Sequence, residues 1–186
     1  ASGAQLVLLV QYTRVAQDLR FHAVVSDLET QKTTATFDVR VPAQGSVAAA
    51  GEQIARRISP EARSFGTKNE QALRVYTEAL RTRELDGAVS RLERAVELDG
   101  AFGEAWVACV QLLAETGRGD AAKQLLQRAR ERGQNIQAIE RGRLEWLSAL
   151  LDNDLARQAQ AIAALAQILP ADTSILAAAA RAEQSA

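Results

Sequence analysis

The chain has 186 residues, 22 of them basic and 23 acidic, and this near-neutral balance argues against a dedicated nucleic-acid surface. No apolar run approaches the roughly 20 residues of a membrane span, and a single cysteine excludes an internal disulfide. The length is enough to bury a sizeable core as one domain or as two small ones.

The first third has the periodicity of a sheet. Residues 6–15, LVLLVQYTRV, form a run dense in Val and Leu. In the next run Leu19, Phe21, Ala23 and Val25 alternate with Arg20, His22, Val24 and Ser26. In the third, Ala35, Phe37, Val39 and Val41 share one face and Thr34, Thr36, Asp38 and Arg40 the other. Period two over three consecutive segments predicts an antiparallel meander with one buried side, turning at Ala16–Asp18 and Glu29–Lys32. Ser46 is placed to cap a helix in which Val47, Gly51, Ile54 and Ile58 recur at helical spacing and cover the sheet. Residues 1–60 thus make a β-β-β-α unit, and SPEARSFGT, from Ser59, is a joint.

The remainder repeats. Ala88, Leu92 and Ala95 recur as Ala122, Leu126 and Ala129, Asp86 as Asp120 and Arg94 as Arg128, each pair 34 apart. Trp106, Val110, Leu113 and Gly117 advance by four, three and four, one apolar stripe that Gly117 ends. Asp120 is available to cap the next helix, whose stripe is Ala122, Leu125, Leu126 and Ala129, with Gly133 as its stop. Alanines at the seam let two helices approach closely. Pro170 ends the sixth helix of the array, and Ser174–Glu183, nearly all Ala, makes a closing helix. The fold class is therefore α+β: a three-stranded antiparallel sheet with one helix, then an all-α solenoid over residues 67–186 of about three helix pairs plus a cap.

A period of 34 with these residues resembles the tetratricopeptide family, stacked antiparallel helix pairs whose curved face takes another chain. Residues 104–133 carry it best, with Trp106, Cys109, Leu113, Gly117, Ala122, Leu126 and Ala129 in pattern and Val110 where Gly is usual. The first unit keeps Ala88, Leu92 and Ala95 but has bulky Tyr76 at a small-residue slot. The third is degenerate and slightly longer, with Trp146, Ile162, Leu165 and Pro170. The front segment VLLVQYTRVAQDLRFHAVVSDLETQKTTATFDV resembles the back half of a small α/β domain preceding such arrays in bacterial receptor-like Ser/Thr kinases and winged-helix regulators. That resemblance implies that an upstream strand and helix are absent, so that the first strand is an exposed edge or pairs with another molecule. The absence of Met fits a processed or excised piece of a longer protein. The compartment is not readable from residues; the resemblance leans to the periplasmic side of a membrane-anchored parent.

Little chemistry is on offer. His22, the single histidine, lies on the outer face of a strand, so two-imidazole metal sites are excluded. Cys109 falls at an apolar helix position with nothing basic a turn away, which suits packing and not a nucleophile. Arg118-Gly119-Asp120 is an interhelix turn before it is an adhesion motif, and no GK[ST], GxGxxG, HRD or DFG occurs. No catalytic residue, metal ligand or cofactor site is assigned.

What the family resemblance implies is a partner groove. Its slots fall on Glu70, Leu73, Thr77, Leu80 and Arg81 in the first unit, and on Glu104, Val107, Gln111, Ala114 and Glu115 in the second. Carboxylate-gripping members carry Lys and Asn where Leu73, Thr77, Val107 and Gln111 stand, so a mixed apolar and acidic groove suits an amphipathic helix or folded segment instead. The expected partner is a protein or peptide, with no nucleic acid and no membrane insertion, and a homodimer is possible. The function expected is a non-catalytic docking or sensing module of a bacterial signalling protein; the alternative is a spacer or dimerisation module with no separate ligand.

Overall fold

The computed structural model describes residues 5–42, 47–60, 62–170 and 172–184. It divides into two compact units, Ala1–Phe65 and Gly66–Ala186.

In the first unit, strands β1 (Leu6–Val15), β2 (Asp18–Asp27) and β3 (Thr33–Pro42) form an antiparallel meander in the order β1-β2-β3. Leu8 faces Val25 and Tyr12 faces Phe21 across the first pair, and Phe21 faces Val39 across the second. The first turn has two residues, with Ala16 at φ 54°. Helix α1 (Val47–Ile58) lies on the inner face. The core beneath it is Phe21, Ala23, Val39, Val41, Ala50 and Ile54, edged by Leu19 and Phe37. Two expectations change here. The helix buries Ala50 and Ile54, whereas Val47 (59% exposed) and Ile58 (39%) stay open. It covers β2 and β3 only, and every residue of β1 is exposed. The cap expected at Ser46 lies outside the described residues. The segment expected to be a joint is tied back to α1, for the Phe65 N–H donates to Glu52 Oε1 (2.8 Å) and Arg56 donates to Ser64 Oγ (2.8 Å).

The second unit is three helix hairpins and a closing helix: α2 (Glu70–Arg81) with α3 (Leu85–Leu98), α4 (Gly103–Glu115) with α5 (Gly119–Arg132), α6 (Ala138–Leu151) with α7 (Leu155–Ile168), then α8 (Thr173–Gln184). Trp106 and Ala122, on the two helices of the middle hairpin, are both fully buried in one continuous core with Leu92, Leu126 and Leu147. Asn69 Oδ1 caps α2 by accepting from the Gln71 and Ala72 N–H groups, and Glu84 caps α3 in the same way. Asp120 is not a cap: it sits within the first turn of α5, where its charge meets the positive helix end, and the N-cap position is Arg118. The ends of α4 and α6 match each other. Gly117 (φ 76°) follows α4, with its N–H on Ala114 O and that of Arg118 on Leu113 O. Asn153 (φ 54°) follows α6, with its N–H on Leu150 O and that of Asp154 on Ala149 O. Both are Schellman motifs, and both turn the chain into the second helix of a pair.

Neighbouring hairpins are held by close approach and by side-chain locks. A Cβ on Gly103 would lie 2.5 Å from Glu140 Cβ, so α4 and α6 meet at a distance only glycine allows. The joint after α3 is fixed by Trp106 Nε1 donating to Gly100 O (2.9 Å) and Thr67 Oγ1 donating to Asp99 Oδ2 (2.6 Å).

Candidate protein-docking groove

The first helices of the three hairpins share a face. Tyr76 on α2 packs its ring at a tilt against Phe102, with centroids 5.0 Å apart, and burial followed by the charge of Glu104 on α4 holds its hydroxyl above the usual tyrosine range, with Arg143 on α6 opposing. Beyond Tyr76 that face opens into a groove of about 300 Å³. Val107 and Gln111, one turn apart, contribute from α4; Arg143, Trp146 and Leu147 contribute from α6. The far wall is Ile162 and Leu165 of α7, with Asp172, Ile175 and Ala178 at the start of α8. Asp172 caps α8, its Oδ1 accepting from the Ile175 N–H (3.2 Å). Trp146 is only half-buried although large, so its ring offers the groove an apolar surface. Arg143 and Asp172 bring one charge of each sign, and Gln111 an amide, to a wall that is apolar elsewhere.

The expected groove residues do not all gather there. Val107 and Gln111 line it, and Gln111 Nε2 donates to Glu115 Oε1 (2.7 Å) beside it. Glu70, Thr77, Leu80 and Arg81 are exposed on α2, where Leu80 is 61% accessible and Thr77 Oγ1 donates to Arg74 O (2.8 Å). Leu73 and Ala114 are half-buried, Leu73 against the core. Glu104 turns its carboxylate toward Gly66, with Oε2 buried and unpaired among the described residues. Sequence reasoning did not assign Arg143, Trp146, Ile162, Leu165, Asp172, Ile175 or Ala178 to the groove. Trp146, a large aromatic in the least regular unit, was the signal for that end of the array.

A second depression of about 350 Å³ lies between α5 and α6, around Leu126, Ile136 and Leu144. Its arginines are already engaged: Arg130 with Ser148 (3.1 Å) and Glu145 (3.7 Å), Arg141 with Ile136 O (2.8 Å). Two surface ion pairs run from hairpin to hairpin, Arg118 with Asp86 (2.5 Å) and Arg128 with Glu93 (3.1 Å). Arg118 of the RGD tripeptide is thus bound to the preceding hairpin.

Cys109 is wholly inaccessible, and burial, reinforced by Glu93, pushes its thiol up to about 12. His22 Nδ1 lies 2.9 Å from Asp38 Oδ1 on the open sheet face, a cross-strand pair. Among the described residues no cluster of His, Cys, Asp and Glu is arranged to hold a metal, and no helix is long and apolar enough to cross a membrane.

The tetratricopeptide repeat family model matches residues 79–140, from the end of α2 into α6. This stretch is similar to tetratricopeptide repeats. It takes in the end of α2, all of α3, α4 and α5 and the start of α6, helices that pack in this chain as the α2–α3 and α4–α5 hairpins. Tetratricopeptide repeats are in general protein–protein interaction modules and typically non-catalytic. No curated protein matches the chain.

Proposed function

We propose that this chain is a docking module of a larger bacterial signalling protein and takes an apolar-faced peptide or helix into the groove at Trp146. The observation that carries this reading is the groove itself. Val107, Trp146, Ile162 and Leu165 leave an unfilled apolar wall where the first helices of the repeats converge, and Arg143 stands in it. Apolar side chains at helical spacing would fill the wall, and an acidic residue on the ligand would meet Arg143. Glu70, Leu73, Thr77, Leu80, Arg81, Glu104, Ala114 and Glu115 belong to the same reading as flanking contacts for a longer ligand. The bacterial parent and its signalling role rest on the likeness of the front segment to the domain described above.

Selection from a displayed random-peptide library against the whole chain tests the proposal. Peptides with apolar residues three or four apart and a nearby acid should be enriched. Val107→Arg should weaken their binding by about 100-fold, since it puts a charge into a desolvated contact. Arg143→Glu should lose the acid preference while keeping the apolar one. Selected peptides indifferent to both substitutions would overturn the assignment.

A further inference from the structure

The free edge of β1 lacks the devices that keep an edge strand single, which are charge, proline, bulging or short length. The opposite edge, β3, carries Asp38, Arg40 and Pro42. β1 is ten residues long, and its only charge is Arg14, next to its end. Leu6, Leu8 and Val10 point to the side of α1 and Val7 and Leu9 to the other, each at least 40% exposed. Two apolar faces are the mark of a strand from a sheet interior.

The backbone shows which groups are free. The Leu28 N–H donates to Gln5 O (2.8 Å) in the same register that sets Leu6 against Asp27. Gln5 and the odd-numbered residues after it therefore turn their N–H and C=O toward β2. Leu6, Leu8, Val10, Tyr12 and Arg14 turn theirs outward.

We propose that this edge pairs with β1 of a second copy of the chain, antiparallel about a twofold axis through Val10. The two three-stranded sheets then become one continuous sheet. Residues opposite each other must share a face, so the axis passes through a residue and not between two. An axis at Val10 sets Leu8 against Tyr12 of the second copy, and that tyrosine already lies 5.9 Å from its own Phe21. It also sets Leu6 against Arg14 of the second copy, in the row that Leu6 shares with Asp27, so opposite charges share a row with one strand between them. An axis at Gln11 would set Arg14 of the second copy directly against Leu8, whose other neighbour is Val25, a charge in an apolar row. A second copy supplies the matching uncharged, two-faced stripe. The dyad leaves both α1 helices on one side of the sheet. They flank a trough into which the groove around Leu8, Val10, Val47, Ile54 and Ile58 opens.

Sedimentation equilibrium of the whole chain tests this. The chain should sediment at twice its own mass. Val10→Pro should sediment at the single mass, because the N–H it removes points away from β2 and its own ladder is kept. Leu8→Lys should do the same through charge, with an unchanged helical circular dichroism signal in both. Leu9→Cys combined with Gln11→Cys places thiols in a non-hydrogen-bonded pair between copies, so oxidation should give a covalent dimer, with buried Cys109 silent. A chain that stays monomeric, whether or not it captures a foreign strand, overturns the proposal. So does a dimer that both Val10→Pro and Leu8→Lys leave intact. A dimer that the cysteine pair fails to cross-link overturns the axis at Val10.

Discussion

The two units bury apolar surface by opposite means. In the helical array each hairpin lends its neighbour a cover, so Trp106, Cys109 and Val110 in the middle of the stack are wholly inaccessible. In the sheet unit one helix of twelve residues serves three strands, and it reaches only two of them. Leu6, Leu9 and Tyr12 of β1 are 50%, 56% and 70% exposed. Apolar content is therefore a poor guide to burial: the strand richest in Leu and Val is the most exposed element of the sheet. What decides is whether the topology supplies a second layer.

The sharpest way to break that comparison is to truncate one large side chain in each unit. Trp106→Ala removes a ring packed on all sides together with its hydrogen bond to Gly100, so the array should lose about 4 kcal/mol. Leu9→Ala in dilute solution should cost under about 0.5 kcal/mol, since water already surrounds that side chain. Denaturant unfolding followed by far-UV circular dichroism reads the first, and hydrogen exchange of the sheet amides reads the second. Equal costs would mean that β1 is covered in solution by something as extensive as a hairpin.

The array also differs from the sheet in holding a buried ionisable group, which gives its stability a pH dependence. The Cys109 thiol ionises near 9.0 in an unfolded chain but is pushed up to about 12 by burial when folded, and Tyr76 is raised in the same direction. Above the unfolded value the unfolded state releases a proton that the folded state keeps. The stabilisation is thus whole below pH 9.0 and is lost as pH rises toward about 12. The slope reaches at most about 1.4 kcal/mol per pH unit for one group. Unfolding midpoints measured across this range should fall, and Cys109→Ala should flatten the decline by the share due to the thiol. A decline unchanged in Cys109→Ala would place its origin elsewhere.

How much of this was legible follows from what periodicity encodes. A spacing of 34 fixes which helices pair, so the seam alanines and Trp106 could be placed from sequence. Spacing along α1 names a stripe, yet it carries no information on which strands lie beneath; hence Val47 and Ile58 were expected to be covered and Ala50 was passed over. The groove shows the same limit. Slots carried over from regular repeats put ten residues on α2 and α4, of which Val107 and Gln111 line the opening. The remaining wall comes from α6, α7 and α8, where the repeat is irregular. Open space there depends on how far apart helix ends stand, and no residue spacing records that distance. Asp120 followed another rule: an acid near a helix start can be a cap or a first-turn charge, and here the helix begins two residues earlier than a cap at Asp120 would require.

The smallest expected effect tests whether the matched helix ends are equivalent. Gly117 and Asn153 occupy the same position after α4 and α6, both with positive φ, and both place their N–H groups in the same double hydrogen-bond pattern. A Cβ on Gly117 would meet nothing within 4 Å, so Gly117→Ala carries conformational strain and no clash. It should cost about 1 kcal/mol. Asn153 already bears a Cβ in that conformation, which asparagine tolerates better than most residues, so Asn153→Gly should gain a few tenths of a kcal/mol at most. The two changes sit on different hairpins without a shared partner, and the double variant should show their sum. If Gly117→Ala is neutral, the turn before α5 can adopt another backbone path. The register between Trp106 and Ala122 would then be held by side-chain packing alone.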